Sequence, residues 1–507
     1  MSKTGRKFLP AIMASLLLNP AQPYAQAPSP PRDSAGIAAA AKTPLLRFYE
    51  MRSQRQAWTD ASWSVASEFL NDAGKEGLEP ERYRVAFTRD AMQRDRLRSA
   101  AAIAYVSDLR LGRADLRRTD KDILLPESGF DPAAALAAAL DDDRLAPFLS
   151  GLPPETPEYR QLRLALSRYG AIAGSGGWSR LAAASGDDEI RSRIASEYPS
   201  FASQDAAASL RHFQEQQGLP ASGKLDRATL AALNIPASDR ARQIAANMER
   251  WRWLPRRVEA SRIAVNVPAA MLALWVDGRV ALSSRVIVGK PATPTPILRA
   301  DSVGVTVNPP WTIPRSIAVG EMLPKLKRNR AWLKSQNIIL LNGPPNDPHG
   351  LSVNWQNFSA GNFPYRLQQL PGPDSALGLI KLELPNRFDV YLHDTPGKTA
   401  FNATRRALSH GCVRVEQILP LAAQILSQDG RAEAERIAGA IAQGKTLTLP
   451  LPRALPVYFL YWTAQADANG EVRFLPDIYG RDRRMYLKLQ APADLRLATP
   501  NVKCPTG

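Results

Sequence analysis

"RIAVNVPAAMLALWVDGRVALSSRVIVGK", Arg262–Lys290, alternates apolar and polar residues on both sides of Asp277-Gly278. A period of two sends successive side chains to opposite faces of a strand, and Asp-Gly is a favoured centre for a tight hairpin. The stretch predicts that the chain turns from helix to sheet at Ser261. Upstream, "LLRFYEMRSQRQAW" and "PEYRQLRLALSRY" repeat apolar residues at spacings of three and four, which is helical. Downstream, "GLIKLELPN", "DVYLHD", "PVYFLYWTAQA" and "GEVRFL" read as further strands. Residues 319–372 interrupt them with a Lys-rich helix and the loop "LLNGPPNDPHGLSVNW", and so read as an insertion. The expected class is α+β, with a helical N-terminal part and a mainly β C-terminal domain.

A chain of 507 residues exceeds what one core organises, so several domains are expected. The boundaries read as 1–27, 28–43, 44–200, 201–238, 239–260, 261–495 and a tail at 496–507. The first carries Lys3, Arg6 and Lys7, an apolar run from Phe8 to Leu18, then Ala25 and Ala27, the layout of a secretory signal peptide. The run is too short to span a bilayer, and no later one reaches about 18–20 residues. Cleavage after Ala25 and retention as an uncleaved membrane anchor both remain open. The Ala/Pro-rich stretch that follows is a linker. A net charge of +17 calls for an acidic partner, and export argues against nucleic acid, leaving lipid or an anionic wall polymer. Within 201–238, "DAAASLRHFQEQQGLPASGKLDRATLAALN" is a helix, a polar turn and a second helix capped by Asp226. His212 there reads as packed or surface, His349 sits in a Pro/Gly loop without a partner, and Trp251 and Trp253 read as packing residues.

"ALSHGCVRVE", Ala407–Glu416, joins one of two cysteines to one of four histidines. Nucleophilic thiol chemistry needs a thiolate, a base and oxyanion donors. Cys412 opens the helix-like run "CVRVEQILPLAAQILSQDG", and a helix N-terminus there would lower its pKa. Gly411 permits close backbone approach, and the amides of Gly411 and Cys412 are candidate oxyanion donors. Arg414 is a candidate for a substrate carboxylate. The base is His410, two residues away, or His393 in "VYLHDTPG"; the residues alone do not choose. They also leave open a zinc site of His393, His410 and Cys412, and a disulfide from Cys412 to Cys504.

"HDTP", followed nineteen residues after its histidine by the cysteine of "SHGCVRV", closely resembles the L,D-transpeptidase family with its YkuD-type catalytic domain. "VGKPATPTP" and "NPPWTIP" are similar to other family stretches. The resemblance implies Cys412 as nucleophile and His393 as catalytic histidine. It implies oxyanion and site support from Ser409, His410, Gly411, Arg414 and Tyr391. Gly378, in a strand crossing the site, and Trp311 are the implied substrate contacts. "FYEMR", "GLEPERY" and "TAQADANGEVRFLPDIYGRD" resemble the large periplasmic members. That form implies a scaffold domain at 44–200, a peptidoglycan-binding-like module at 201–238 and a connecting helix at 239–260. It also implies a catalytic domain at 261–495 with a capping insert at about 319–372.

The implied reaction is transfer of a diaminopimelate acyl group from a donor tetrapeptide stem, with release of D-alanine, to an acceptor stem amine. The product is a 3→3 cross-link in the wall of the periplasm. No metal and no cofactor is called for. The implied partners are peptidoglycan stem peptides and other cell-wall synthases, and the implied inhibitors are carbapenems. Two other readings stay open: a wall cysteine endopeptidase or carboxypeptidase, and a non-catalytic wall-binding protein.

Overall fold

The computed structural model describes residues 43–490 apart from 115, 119, 127, 200, 202, 204 and 428–430. The expected signal peptide, the linker up to 42, and the tail with Cys504 lie outside the described residues. Helices Pro44–Met51, Asp60–Asn71, Ala91–Leu111, Pro132–Asp141 and Pro157–Gly174 each begin at a Thr or Asp whose side chain accepts a first-turn amide. Such a cap contributes about 1 kcal/mol. The first four share a core that includes Phe48, Leu70, Val106 and Leu136.

The small module is built as its turn residues dictate. Helix Arg227–Leu233 starts at Asp226, which accepts the Thr229 amide at 2.7 Å. Gln214, on helix Ala206–Gln216, fills the polar turn by bonding the Lys224 carbonyl and the Thr229 hydroxyl, both at 2.9 Å. His212 stacks on Phe201, ring centroids 4.0 Å apart. Helix Ala237–Arg252 then joins the helical part to the sheet. Its Glu249 and Arg252 form a fully buried ion pair at 2.9 Å. Glu249 also accepts the Ala114 amide at 2.7 Å, and Arg252 reaches the Tyr159 hydroxyl at 2.9 Å. Removing either charge would strand the other, a loss of about 3–5 kcal/mol. Trp253 is buried, and Trp251 stacks on Trp462.

The sheet begins with β1 (Ile123–Leu124), then β2 (Arg262–Asn266), β3 (Met271–Val276), β4 (Arg279–Gly289) and β5 (Ile297–Val307). Asp277 and Gly278 both take positive φ, 49° and 81°, so the β3–β4 turn is of the hairpin kind that the sequence predicts. β6 (Trp311–Thr312), β7 (Ile338–Leu340) and β8 (Leu367–Gln369) form a separate three-stranded sheet in the order β6-β8-β7. β9 (Ile380–Glu383), β10 (Leu392–His393), β11 (Ala407–Ser409), β12 (Val413–Val415) and β13 (Leu447–Leu460) complete the set. The main order is β1-β5-β13-β2-β3-β4-β12-β10-β9, with β11 on β4, and β9 pairs back onto β5. That return closes the sheet into a barrel and leaves few free edges. Inside lie Ile263, Leu274, Val286, Leu392, Val413 and Val415, all buried. Full burial of each such side chain is worth about 1.5–3 kcal/mol.

The three-stranded sheet and helices Leu323–Arg328 and Trp332–Ser335 enclose a core of their own, with Ile313, Leu326, Leu333, Trp355 and Phe363. The insertion is therefore a folded body, beginning at Trp311. His349 is part of its frame, Nδ1 lying 2.7 Å from the Ile338 carbonyl. The strands Ala464–Ala466 and Val472–Phe474 pair with each other outside the barrel. They pack against Tyr159, Leu162, Tyr169 and Ile244 of the helical part.

Candidate active site

Register builds the site. β10 lies between β9 and β12, and His393 is directly paired with Lys381 on one side and Arg414 on the other. Directly paired residues share a face, so Lys381, His393 and Arg414 form a row across three strands. Their neighbours Leu392 and Val413, also paired, face the core and are fully buried. Tyr391 and Cys412 stand two residues before His393 and Arg414, which returns them to the same face. The Val413 amide locks the two segments together by donating to the Tyr391 carbonyl at 3.0 Å.

The helix expected to open at Cys412 starts at Ile418 instead. Val413 and Val415 alternate with Arg414 and are captured between β4 and β10 as strand β12. No helix terminus therefore sits at the thiol. Burial pushes the Cys412 thiol up, against hydrogen bonds from Tyr391 and the nearby Lys381 charge that pull it down. The expectation of a thiol lowered by a helix terminus is corrected on both counts. Cys412 is a free thiol, partly buried on the cleft floor, with Sγ 3.6 Å from the Asp389 carbonyl.

The turn before it is knitted by Ser409, whose Oγ donates to the Cys412 carbonyl at 2.6 Å and accepts the Gly411 amide at 3.1 Å. Thr295 Oγ1 donates to the Gly411 carbonyl at 2.7 Å. Gly411 has φ of +120°, a value costly for any residue with a Cβ. The Gly411 amide is thus held by the Ser409 hydroxyl. The Cys412 amide has no partner among the described residues.

His393 is 4 % exposed, and its Nδ1 has no hydrogen-bond partner among the described residues. Burial, aided by the Arg414 charge, lowers the imidazole to about 3. Its ring lies 5.6 Å from that of Tyr391. The Tyr391 hydroxyl lies beside the thiol and the Trp311 indole, and burial pushes that hydroxyl well above its ordinary range. Arg414 meets no carboxylate among the described residues, its Nε is buried without a partner, and burial lowers it. Lys381 lies over the Tyr391 ring, Nζ 4.9 Å from the centroid.

His410 is not in the row. It stands at the cleft rim with Nε2 2.5 Å from Glu321 of the insertion. Gly378 is in a turn ahead of β9 rather than in a strand. A Cβ there would meet the Asp394 side chain at 2.5 Å, so the residue serves close packing behind the site. The cleft holds about 880 Å³, with Trp311, Pro314 and Glu321 on the insertion side and Lys290, His393 and Cys412 on the barrel side. Sequence reasoning missed Lys290, Lys381 and Glu321. The one signal was a lysine inside the apolar strand "GLIKLELPN". Among the described residues no group of three or more His, Cys, Asp or Glu stands together for a metal.

A barrel that presents a thiol, a buried imidazole and a guanidinium without a carboxylate among the described residues, in one lidded cleft, defines a class of domain built around a single cysteine. Residues 260–446 match the model of the YkuD L,D-transpeptidase catalytic domain, residues 43–166 that of a scaffold domain, and residues 203–233 that of the "Putative peptidoglycan binding domain". The chain therefore carries an L,D-transpeptidase catalytic domain of the YkuD family, preceded by a scaffold domain and a peptidoglycan-binding module. A Haemophilus influenzae (strain ATCC 51907 / DSM 11121 / KW20 / Rd) protein described as "Putative L,D-transpeptidase" is 37% identical over 276 residues. The match covers 54% of this chain and 55% of that protein, so the chain spans about half the length of its relative. Similar solved structures include "Structure of the Ldtfm-avibactam carbamoyl enzyme", at 14% identity, TM-score 0.20, and 41% and 51% coverage of this chain and that one. Another is "L,D-transpeptidase from Mycobacterium smegmatis", at 13% identity, TM-score 0.18, and 40% and 58% coverage.

Proposed function

We propose that the protein is a periplasmic peptidoglycan L,D-transpeptidase that forms 3→3 cross-links by cysteine acyl transfer. The observation that carries this reading is the row Lys381–His393–Arg414 with Cys412 on the same face of the barrel. Cys412 Sγ attacks the diaminopimelate carbonyl of a donor tetrapeptide, and its proton passes to His393. The Cys412 amide donates to the oxyanion. The C–N bond to D-alanine then breaks, the amine leaves with the proton from His393, and a thioester remains. An acceptor stem amine attacks that thioester, forming the cross-link and restoring the thiol.

With the thiol raised and the imidazole lowered, the resting pair is neutral. Arg414 is one cause of the low imidazole pKa, and it has no carboxylate partner among the described residues. A donor carboxylate placed on Arg414 cancels that charge and strengthens His393 as a base at the moment the substrate arrives. The basic cleft and the wall-binding module suit a polymer rich in carboxylates. Cell-wall synthases are the proposed protein partners, and an uncleaved signal the proposed membrane anchor. Mass spectrometry of products from labelled tetrapeptide tests the reading. Dimers linked through two diaminopimelate residues are expected; cleaved monomers alone would establish a hydrolase instead.

A further inference from the structure

The insertion delivers one acidic side chain to the cleft. Glu321 lies in the π-helical turn Ala318–Met322, a geometry that recurs at functional sites. Ala318 and Met322 of that turn are buried in the insertion's core, whereas Gly320 and Glu321 line the cleft. The carboxylate stands 2.5 Å from His410 Nε2, and 46 % of its side-chain surface is exposed. The thiol, two residues after His410, thus has cations along the barrel floor and an anion on the insertion side. The other acid in the cleft, Asp389, meets the thiol through its backbone carbonyl.

The two substrates of the proposed reaction differ in charge at the reacting end. The donor presents carboxylates, which suit Lys381 and Arg414. The acceptor presents an amine that is an ammonium at neutral pH, with a pKa near ~10, and cannot attack until it loses a proton. We propose that Glu321 is the acceptor-binding group: it holds the incoming ammonium beside the thioester and removes its proton. The inference rests on the transpeptidase reading and assigns its second half-reaction. One ammonium proton goes to the Glu321 carboxylate, and the free amine forms the C–N bond. The C–S bond breaks with its electron pair on sulfur. The second amine proton restores the thiol, and the proton on Glu321 returns to solvent. In the absence of acceptor the His410 contact keeps the carboxylate aimed into the cleft.

The test separates the half-reactions in the full chain. Thioester formation is followed by D-alanine release from donor alone, and cross-linking by dimer yield after adding acceptor. In Glu321→Gln the ratio of dimer formed to thioester formed is expected to fall by about tenfold to a hundredfold, the worth of one charged hydrogen bond. Glu321→Asp should recover part of it. An unchanged ratio, or a parallel fall in both steps that marks a purely structural contact with His410, overturns the proposal. Absence of any thioester in the wild-type protein would instead refute the transpeptidase reading, and this inference with it.

Discussion

Replacing His393 by glutamine removes a titratable group from the barrel wall, and the pH dependence of stability should register its loss. The imidazole is lowered from its ordinary 6.5 to about 3 by burial, with Arg414 as the next cause. Between those values the unfolded chain binds a proton that the folded chain refuses, so stability rises with pH across that window. The contribution is fully present above 6.5 and is lost as pH falls toward 3. At pH 4.5 the difference in proton binding amounts to about 2.5 kcal/mol, and at pH 7.5 to almost nothing. Denaturant titration of both proteins, followed by tryptophan fluorescence, measures it. The wild type should lose about 2.5 kcal/mol more than His393→Gln between pH 7.5 and 4.5. Equal losses would mean that His393 titrates normally, and the lowering of the imidazole would be refuted.

Cys412→Ser should abolish cross-linking and leave the folded structure intact, whereas Cys504→Ser should cross-link normally; turnover by the first variant would refute the nucleophile. His393→Ala should lower thioester formation by about 10²- to 10⁴-fold, the usual loss of a general base. His212→Ala and His349→Ala should retain it, because those rings stack on Phe201 and bind the Ile338 carbonyl. A dead His410→Ala beside a nearly normal His393→Ala would reverse the roles assigned here. A carbapenem should add once to the intact protein, and mass spectrometry should find no adduct on Cys412→Ser. Persistence of that adduct would place the reactive group elsewhere.

Local chemistry made much of this protein legible. Alternation around Asp277-Gly278 is enough to name a hairpin, since those two residues accept the positive φ angles the turn imposes. Asp226 announces a helix start because its carboxylate satisfies an amide three residues on. The cysteine, histidine and glycine of Ala407–Glu416 point toward thiol chemistry, because a nucleophilic cysteine needs a base and close backbone donors. The misreadings came where partners distant in sequence decide. Cys412–Val415 has helical company on one side, and only capture of Val413 and Val415 between β4 and β10 makes it strand. The place of His393 between Lys381 and Arg414, with His410 apart at the rim, is set by strand register. Glu321 reaches His410 across 89 residues of chain. Sequence by itself determined most of the elements, the turns and the reactive residue types, which depend on neighbours within a few positions. Tertiary structure alone decided that His393 joins the row of Lys381 and Arg414 while His410 meets Glu321 at the rim, because strand register and the seating of the insertion arise from burial shared by the whole domain.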